Sequence, residues 1–388
     1  VTMMPGFTKP VRVIFGPEHD AFRVSVRAML AREAAPRAEK WLADGVIDRG
    51  FWKTAAAQGF VAFAAPAEYG GLGLADFRFN AILDEEIVYA GVGTDAFMMA
   101  NDIVGPYLWD LANSEQRERW LPGVVSGDTV LAIAMSEPGA GSDLRGMRTV
   151  ARRDGDHYVL DGSKTFITNG IQADLVIVAA QTHVGDRDRI SLFVVEAGAP
   201  GFGRGRSLHK IGRHAQDTAE LHFDGVRVPQ ENVLGEVGSG FGALMRNLPQ
   251  ERLAMAVTAI ADAEHVLERT VDYAQQRRAF GQPIGSFQAN RFAIAEMVTE
   301  VRIGRSYVDD CIMRHCAGQL TAAEAAGAKY WATELEWRVV DRCLQLHGGY
   351  GYMEEYEIAR RWRDARVQRI YGGTTEIMKE IVGRSVGL

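Results

Sequence analysis

Cysteine is scarce in this chain: three residues in 388, Cys311, Cys316 and Cys343, with no Cys-x-x-Cys spacing and no way to pair completely. That leaves no disulfide framework, and the chain reads as a reduced, cytoplasmic protein. Cys311 and Cys316 flank His315, a spacing that could hold a metal, but thiols on an apolar helix face behave as small buried hydrophobes. An excess of basic residues is also missing. Lys and Arg number 43 against 50 Asp and Glu, for a formal charge of −7, and a nucleic-acid partner calls for the opposite balance. No apolar run reaches the roughly 18–20 residues that span a bilayer. The first residues, Val1-Thr2-Met3-Met4-Pro5-Gly6, lack the basic segment and apolar core of a signal peptide. A complete dinucleotide fingerprint is lacking too. Gly238-Ser239-Gly240-Phe241-Gly242 has neither the full six-residue pattern nor an acidic residue about 20 positions on.

What is present is an ordinary globular composition, 47% hydrophobic and 24% charged, with enough length for two or three domains. Residues 1–128 read as helices: one opened by Pro17 and interrupted at Pro36, one ended at Gly59, and a short one capped by Ser114. Near Thr129 the period changes. Val130–Ala134, Tyr158–Leu160, Leu175–Ala180, Ser191–Val195 and Ala219–Phe223 are short Val/Ile/Phe-rich runs separated by Gly, Asp and Asn, the pattern of strands. No helical repeat lies between them, so residues 129–240 predict a mostly antiparallel barrel or sandwich. Residues 241–388 return to helix. One amphipathic helix ends near Phe280-Gly281, a second runs from Phe287 to Gly318, and a third opens on the capping box Thr321–Glu324. A last helix after Thr374 completes a bundle. The fold class is therefore multidomain: helical, then β, then helical.

Two stretches carry chemistry. Pro249-Gln250-Glu251-Arg252-Leu253 places a Glu-Arg pair near a helix start, where a solvated pair favoured by the dipole is the ordinary reading and a catalytic carboxylate the sharper one. Ala134-Met135-Ser136-Glu137-Pro138-Gly139-Ala140-Gly141-Ser142-Asp143 follows a strand, and its glycines let backbone amides converge on a ligand.

With Phe166-Ile167-Thr168-Asn169-Gly170 added, the sequence resembles the acyl-CoA dehydrogenase family. The resemblance runs in order through Tyr69–Gly73, Ser136–Asp143, Phe166–Gly170, Lys210–Phe223, Arg277–Gly281, Gln288, Gln345–Gly351 and Tyr371–Glu376. It implies a helical N-terminal domain, a central β-barrel and a C-terminal bundle. It further implies FAD as cofactor, an acyl-CoA substrate oxidised to the trans-2-enoyl-CoA with hydride passing to flavin N5, an electron-transfer flavoprotein as acceptor, and a homotetramer. Met135, Ser136, Ser142, Phe166 and Thr168 match positions lining the flavin. Arg277, Phe280 and Gln288 match positions holding its pyrophosphate and adenine parts, partly from a neighbouring subunit. Gln345, Gly349, Thr374 and Glu376 match further FAD contacts. Ser142, Phe241, Arg252, Tyr371 and Gly373 fall at substrate positions, although Arg252 could equally be the ion-pair partner of Glu251.

One departure matters. The commonest family pattern puts a Glu directly after the Tyr of the final motif, and here that position is Gly372. The long-chain and isovaleryl branches place the base on the first bundle helix instead, at the position of Glu251. The resemblance thus implies Glu251 as base and the Gly372 amide as a donor to the thioester oxygen, closest to the long-chain branch. Two alternatives stand beside it: an oxidase using O₂ at the same site, and a catalytically silent acyl-thioester or flavin-binding protein.

Overall fold

In the computed structural model, described for residues 11–93 and 96–388, a helical N-terminal part leads into one β-sheet, and the chain finishes in a helical bundle. The N-terminal stretch Val1–Gly6 lies outside the described residues. Helix Pro17–Met29 widens into a π-turn at Leu30–Ala34 and tightens around Pro36, because proline has no N–H for the ladder. Helix Arg49–Ala56 is capped by Asp48, whose carboxylate accepts from the amide of Phe51. The cap at Ser114–Val125 is Asn113, one residue before the expected Ser114. Its side chain forms a reciprocal box with Gln116.

The sheet contains β1 (Leu131–Ala134), β2 (Val150–Asp154), β3 (His157–Thr168), β4 (Leu175–Val184), β5 (Arg187–Glu196), β6 (Phe202–Ser207), β7 (Thr218–Pro229) and β8 (Val233–Leu234). Their order is β6-β7-β3-β2-β4-β5-β8, with β1 parallel to β4 and the long ladders antiparallel. The mostly antiparallel expectation holds. The closed barrel does not appear: among the described residues the ladder ends in β6 and β8, and no pairing joins them. Strands β2 and β6 escape sequence reading because their residues, VARRD and FGRGRS, are largely polar and solvent-facing.

The bundle departs from the sequence reading at its main helix. Gly240–Gln276 is 37 residues long and starts ten residues before Gln250, so Glu251 sits well inside the helix rather than in its first turn. A dipole-stabilised surface pair is thereby excluded, since that effect fades within one turn. Every residue from Glu251 to Leu267 is buried; the helix is central, covered on all sides, and it has no solvent face there. It stops at Gln276, short of Gly281. Phe280 and Gly281, with φ of 50° and 83°, form instead the tip of a hairpin between Arg278–Ala279 and Gln282–Pro283.

Helices Gln288–Cys316 and Ala322–His347 lie where expected, the latter with the Thr321–Glu324 box made in both directions. Helix Glu357–Ala365 was not anticipated; the closing helix Thr375–Ser385 was. The N-terminal helices are tied to the bundle by buried charge. Arg305 donates to Glu264 at 2.9 and 2.6 Å and to Glu85 at 2.8 Å. Burial would raise the Glu85 carboxyl, but Arg12, Arg305 and Arg23 hold it down at about 2. No helix among the described residues is long and apolar enough to cross a membrane.

Candidate active site

Two separate parts of the chain meet at Glu251, and a third meets its helix at Met255. Its side chain is 2% exposed. Tyr107, fully buried on the helix Gly105–Leu111, donates its hydroxyl to Glu251 Oε1 at 2.9 Å. One turn further along, Met255 packs against the turn before the closing helix: a Cβ placed on Gly372 would collide with Met255 Sδ and Cε. The Glu251 helix and the final motif therefore touch at Met255, one turn from Glu251. Burial raises the Glu251 carboxyl to about 7, against the opposing pull of the Tyr107 hydrogen bond and the Arg252 charge. The same burial, with Glu251's negative charge, pushes the Tyr107 phenol far up, so it stays a donor.

Arg252 is 6% exposed and makes no ion pair with Glu251 among the described residues. Its Nε is buried without a hydrogen-bond partner, an unsatisfied donor of the kind that a ligand can complete.

The final motif is held from behind. Tyr371 donates to Gln368 Oε1 at 2.8 Å, and Gln368 donates to Thr258 Oγ1 on the Glu251 helix at 3.3 Å. Gly372 and Gly373 both have positive φ, 63° and 101°. Thr374 caps the closing helix by accepting from the Ile377 amide, and Glu376 lies in its first turn. Lys329 donates to the Gly373 carbonyl at 2.7 Å. Sequence reading missed both Tyr107 and Lys329. Each is a single polar residue in an apolar helical run, and nothing local separates it from an ordinary helix position.

Met135 and Ser136 emerge directly after β1. The following loop is pinned by a fully buried Lys164, which donates to Glu137 Oε1 at 2.9 Å and to the Met135 carbonyl at 3.1 Å. Glu137 also accepts from the amides of Arg148 and Thr149, and the Thr165 amide bonds Ser136 O at 2.9 Å. Beside this anchor the β3–β7 register slips between Lys164 and Ile167. Phe166 sits in that irregularity with φ 59° and its ring 71% exposed. A strained backbone presenting a bare aromatic ring is a feature of ligand sites. Thr168 ends the strand. Ser142 is exposed on the loop, and Phe241 lies under the Arg145 guanidinium at 5.3 Å.

A second group forms at the hairpin end of the bundle. Arg277 lies over the Tyr350 ring at 5.3 Å, next to Gly349 and one turn beyond Gln345. Phe280 is 95% exposed and meets Phe287, the cap before Gln288. Among the described residues no hydrogen bond, ion pair or ring contact joins this group to Met135–Thr168. Cys311 is buried as expected, but Cys316 is exposed, its thiol directed at Asp76. No cluster of three His, Cys, Asp or Glu able to hold a metal occurs among the described residues.

A bare aromatic in a strained strand segment, a loop pinned by a buried Lys–Glu pair, a capped helix N-terminus and a buried carboxylate are features that suit a flavin nucleotide and an acyl thioester. Comparison with known proteins bears on the same point. Profiles of the acyl-CoA dehydrogenase N-terminal, middle and C-terminal domains match residues 16–128, 132–226 and 238–387. These define the class as a flavin-dependent oxidoreductase of acyl-CoA. The rat long-chain specific acyl-CoA dehydrogenase, mitochondrial, is 46% identical over 379 residues, covering 97% of this chain and 88% of that protein. The crystal structure of acyl-CoA dehydrogenase from Geobacillus kaustophilus superposes with a TM-score of 0.94 at 46% identity, covering 97% of this chain and all of that one. The Bacillus anthracis acyl-CoA dehydrogenase complexed with FAD gives 0.89 at 31% identity, over 96% of this chain and 67% of that one. The chain belongs to the acyl-CoA dehydrogenase family and takes FAD as its cofactor.

Proposed function

We propose that this enzyme dehydrogenates an acyl-CoA thioester between Cα and Cβ, as in the first oxidation of fatty-acid breakdown, with Glu251 as the base. The observation that carries this reading is the burial of Glu251 against Tyr107, one turn from the Met255–Gly372 contact. Bound FAD supplies the hydride acceptor. Glu251 takes the α-proton on Oε2, because Oε1 is occupied by the Tyr107 hydroxyl. The Gly372 amide stabilises the developing charge on the thioester oxygen. Arg252 faces the CoA portion, while Phe241, Ser142, Tyr371 and Gly373 line the acyl path. Met135, Ser136, Ser142, Phe166 and Thr168 hold the flavin ring. Thr374 and Glu376 at the helix N-terminus, with Gln345 and Gly349, take the remainder.

The separation of Arg277, Phe280 and Gln288 from the flavin-ring group, and the exposure of Phe280, support a homotetramer in which these residues complete a neighbour's FAD site. The reading divides the chain into domains 1–128, 129–240 and 241–388. It passes electrons to an electron-transfer flavoprotein and keeps the protein in the cytoplasm with its thiols unpaired. The test is anaerobic bleaching of the yellow protein by a series of acyl-CoAs, with the trans-2-enoyl-CoA identified as product. An unbleached flavin across the series contradicts dehydrogenation, and rapid oxygen uptake during turnover makes the enzyme an oxidase.

Tyr107 offers a sharper check. Its hydrogen bond favours the ionised carboxylate, so Tyr107→Phe should raise the Glu251 pKa above about 7. A hydrogen bond to a charged group contributes about 1.5–3 kcal/mol, which converts to a shift of about 1–2 pH units. The acid limb of kcat/KM, where activity disappears as the base is protonated, should move up by that amount. An unmoved limb removes Tyr107 from the control of Glu251.

A further inference from the structure

Lys329 is fully buried on the helix Ala322–His347, and its only hydrogen bond among the described residues is to a neutral acceptor, the Gly373 carbonyl at 2.7 Å. Burying an ammonium without a carboxylate partner is costly, and an apolar side chain of the same volume would pack there without that cost. The groups facing it do not neutralise it. Arg252 adds a second cation from the base helix. Glu334, on Lys329's own helix, is engaged by Arg369 at 2.7 Å and Thr375 at 2.8 Å. Burial pushes the Glu336 carboxyl up, toward its neutral form. Glu376, on the closing helix, is exposed to solvent. A buried cation held by a carbonyl thus lies against a turn whose consecutive glycines, 372 and 373, have no side chains to fix it, and Arg252, whose own counter-charge is Glu251, adds to the positive field around it.

We propose that Lys329 is a positioning residue for the thioester: by gripping the Gly373 carbonyl it holds the Gly372 amide in place, and with Arg252 it supplies the positive field in which the enolate charge develops. This rests on the reading of Gly372 as the oxyanion donor. A preorganised field of this kind acts mainly on the transition state, because charge appears on the oxygen only as the α-proton leaves. Burial first, then the Arg252 charge, brings the Lys329 ammonium down to about 8, against the partial pull of Glu334, Glu336 and Glu376. The field should therefore weaken as pH rises through that value. Stability should move the other way over the same range, because above about 8 the unfolded chain binds the extra proton. Loss of rate there is not melting.

Lys329→Met, isolated with its FAD, should lose about 30-fold or more in kcat while KM stays within about 3-fold, and the alkaline fall in kcat near pH 8 should vanish. A direct readout uses a 3-thia-acyl-CoA, whose sulfur acidifies the α-proton and leaves no β-hydride to transfer. The apparent pKa of the bound analogue, followed by its long-wavelength absorbance with the flavin, should rise by about one unit or more in the variant. If Lys329→Met does not retain FAD, Lys329→Gln, which keeps a neutral donor, carries the same measurements. An analogue pKa equal to wild type, or kcat within about 3-fold of it, overturns the proposal. Glu251→Gln separates this from the base assignment. Full activity in that variant overturns Glu251 and leaves Lys329 standing, whereas a dead Glu251→Gln beside an unaffected Lys329 variant overturns Lys329 alone.

Discussion

Glu251→Gln is expected to keep the fold, the FAD and acyl-CoA binding while kcat falls by about 10²–10⁴, the usual contribution of a positioned base. The substitution preserves shape and can still accept from Tyr107, so the loss should appear in turnover and not in ground-state affinity. Residual turnover above a few per cent, as a rough threshold, removes Glu251 from the mechanism. The wild-type kcat/KM should fall as pH drops through about 7, the value to which burial raises this carboxyl, and the variant should lose that limb.

Stability supplies an independent reading of the same residue. Below pH 4.5, the ordinary value, the carboxyl is protonated in both folded and unfolded chains, and Glu and Gln are equivalent. Between 4.5 and about 7 the unfolded chain ionises and the folded one does not, so stability drains away as pH rises. The full difference is about 3 kcal/mol as an upper bound. Glu251→Gln should therefore be more stable than wild type at pH 8 and differ little from it at pH 4.5. Melting curves at the two pH values check this, and an equal offset at both refutes a buried, proton-holding Glu251. On the proposed assignment of Glu251, the enzyme gives up stability to keep its base near neutrality.

Moving the base is expected to work only if room is made for it. Glu251→Gly should abolish turnover. If positions 251 and 372 address the same α-carbon, adding Gly372→Glu should restore part of it, with changed chain-length preference, because side-chain volume moves from one wall of the site to the other. Two obstacles are visible in the structure. Position 372 has φ 63°, a conformation that costs a non-glycine residue about 1–2 kcal/mol. Any Cβ there also strikes the Met255 thioether. The end of a methionine side chain is flexible enough to yield, and Met255→Ala should relieve the contact outright. Glu251→Gly/Gly372→Glu should thus recover weakly and the triple variant with Met255→Ala more strongly. Neither should reach wild type, since a misplacement of about 1 Å costs roughly 100-fold. Anaerobic flavin bleaching rates measure the outcome. A triple variant that binds FAD and acyl-CoA normally yet stays as inactive as Glu251→Gly alone ends the shared-carbon idea.

The sequence was most legible where local chemistry decides structure. The Thr321–Glu324 box, the break at Pro36, the strand runs of β4 and β5 and the N-terminus after Thr374 all follow from side chains acting within a turn or two. It was least legible where the deciding partner is distant. Gly281 reads as a helix stop, yet the strand segment after it pairs back with Arg278–Ala279, and a hairpin results. Glu251 reads as a first-turn residue because the apolar period starts at Leu253, while packing against the sheet and the N-terminal helices extends the helix back to Gly240.

By itself the sequence determined the order helix–β–helix, the absence of a dinucleotide fold, and the family, because these rest on periodicities and motifs contained in the chain. It also singled out the two positions, Glu251 and Gly372, on which the proposed chemistry turns. Only the tertiary structure decided what surrounds them. The Tyr107 hydroxyl on Glu251, the Met255 thioether against Gly372 and the Lys329 ammonium on Gly373 come from residues 144, 117 and 44 positions apart. A pKa near 7 is a property of that enclosure, not of a glutamate in sequence: burial sets it, and burial exists only once the central helix is covered on every side.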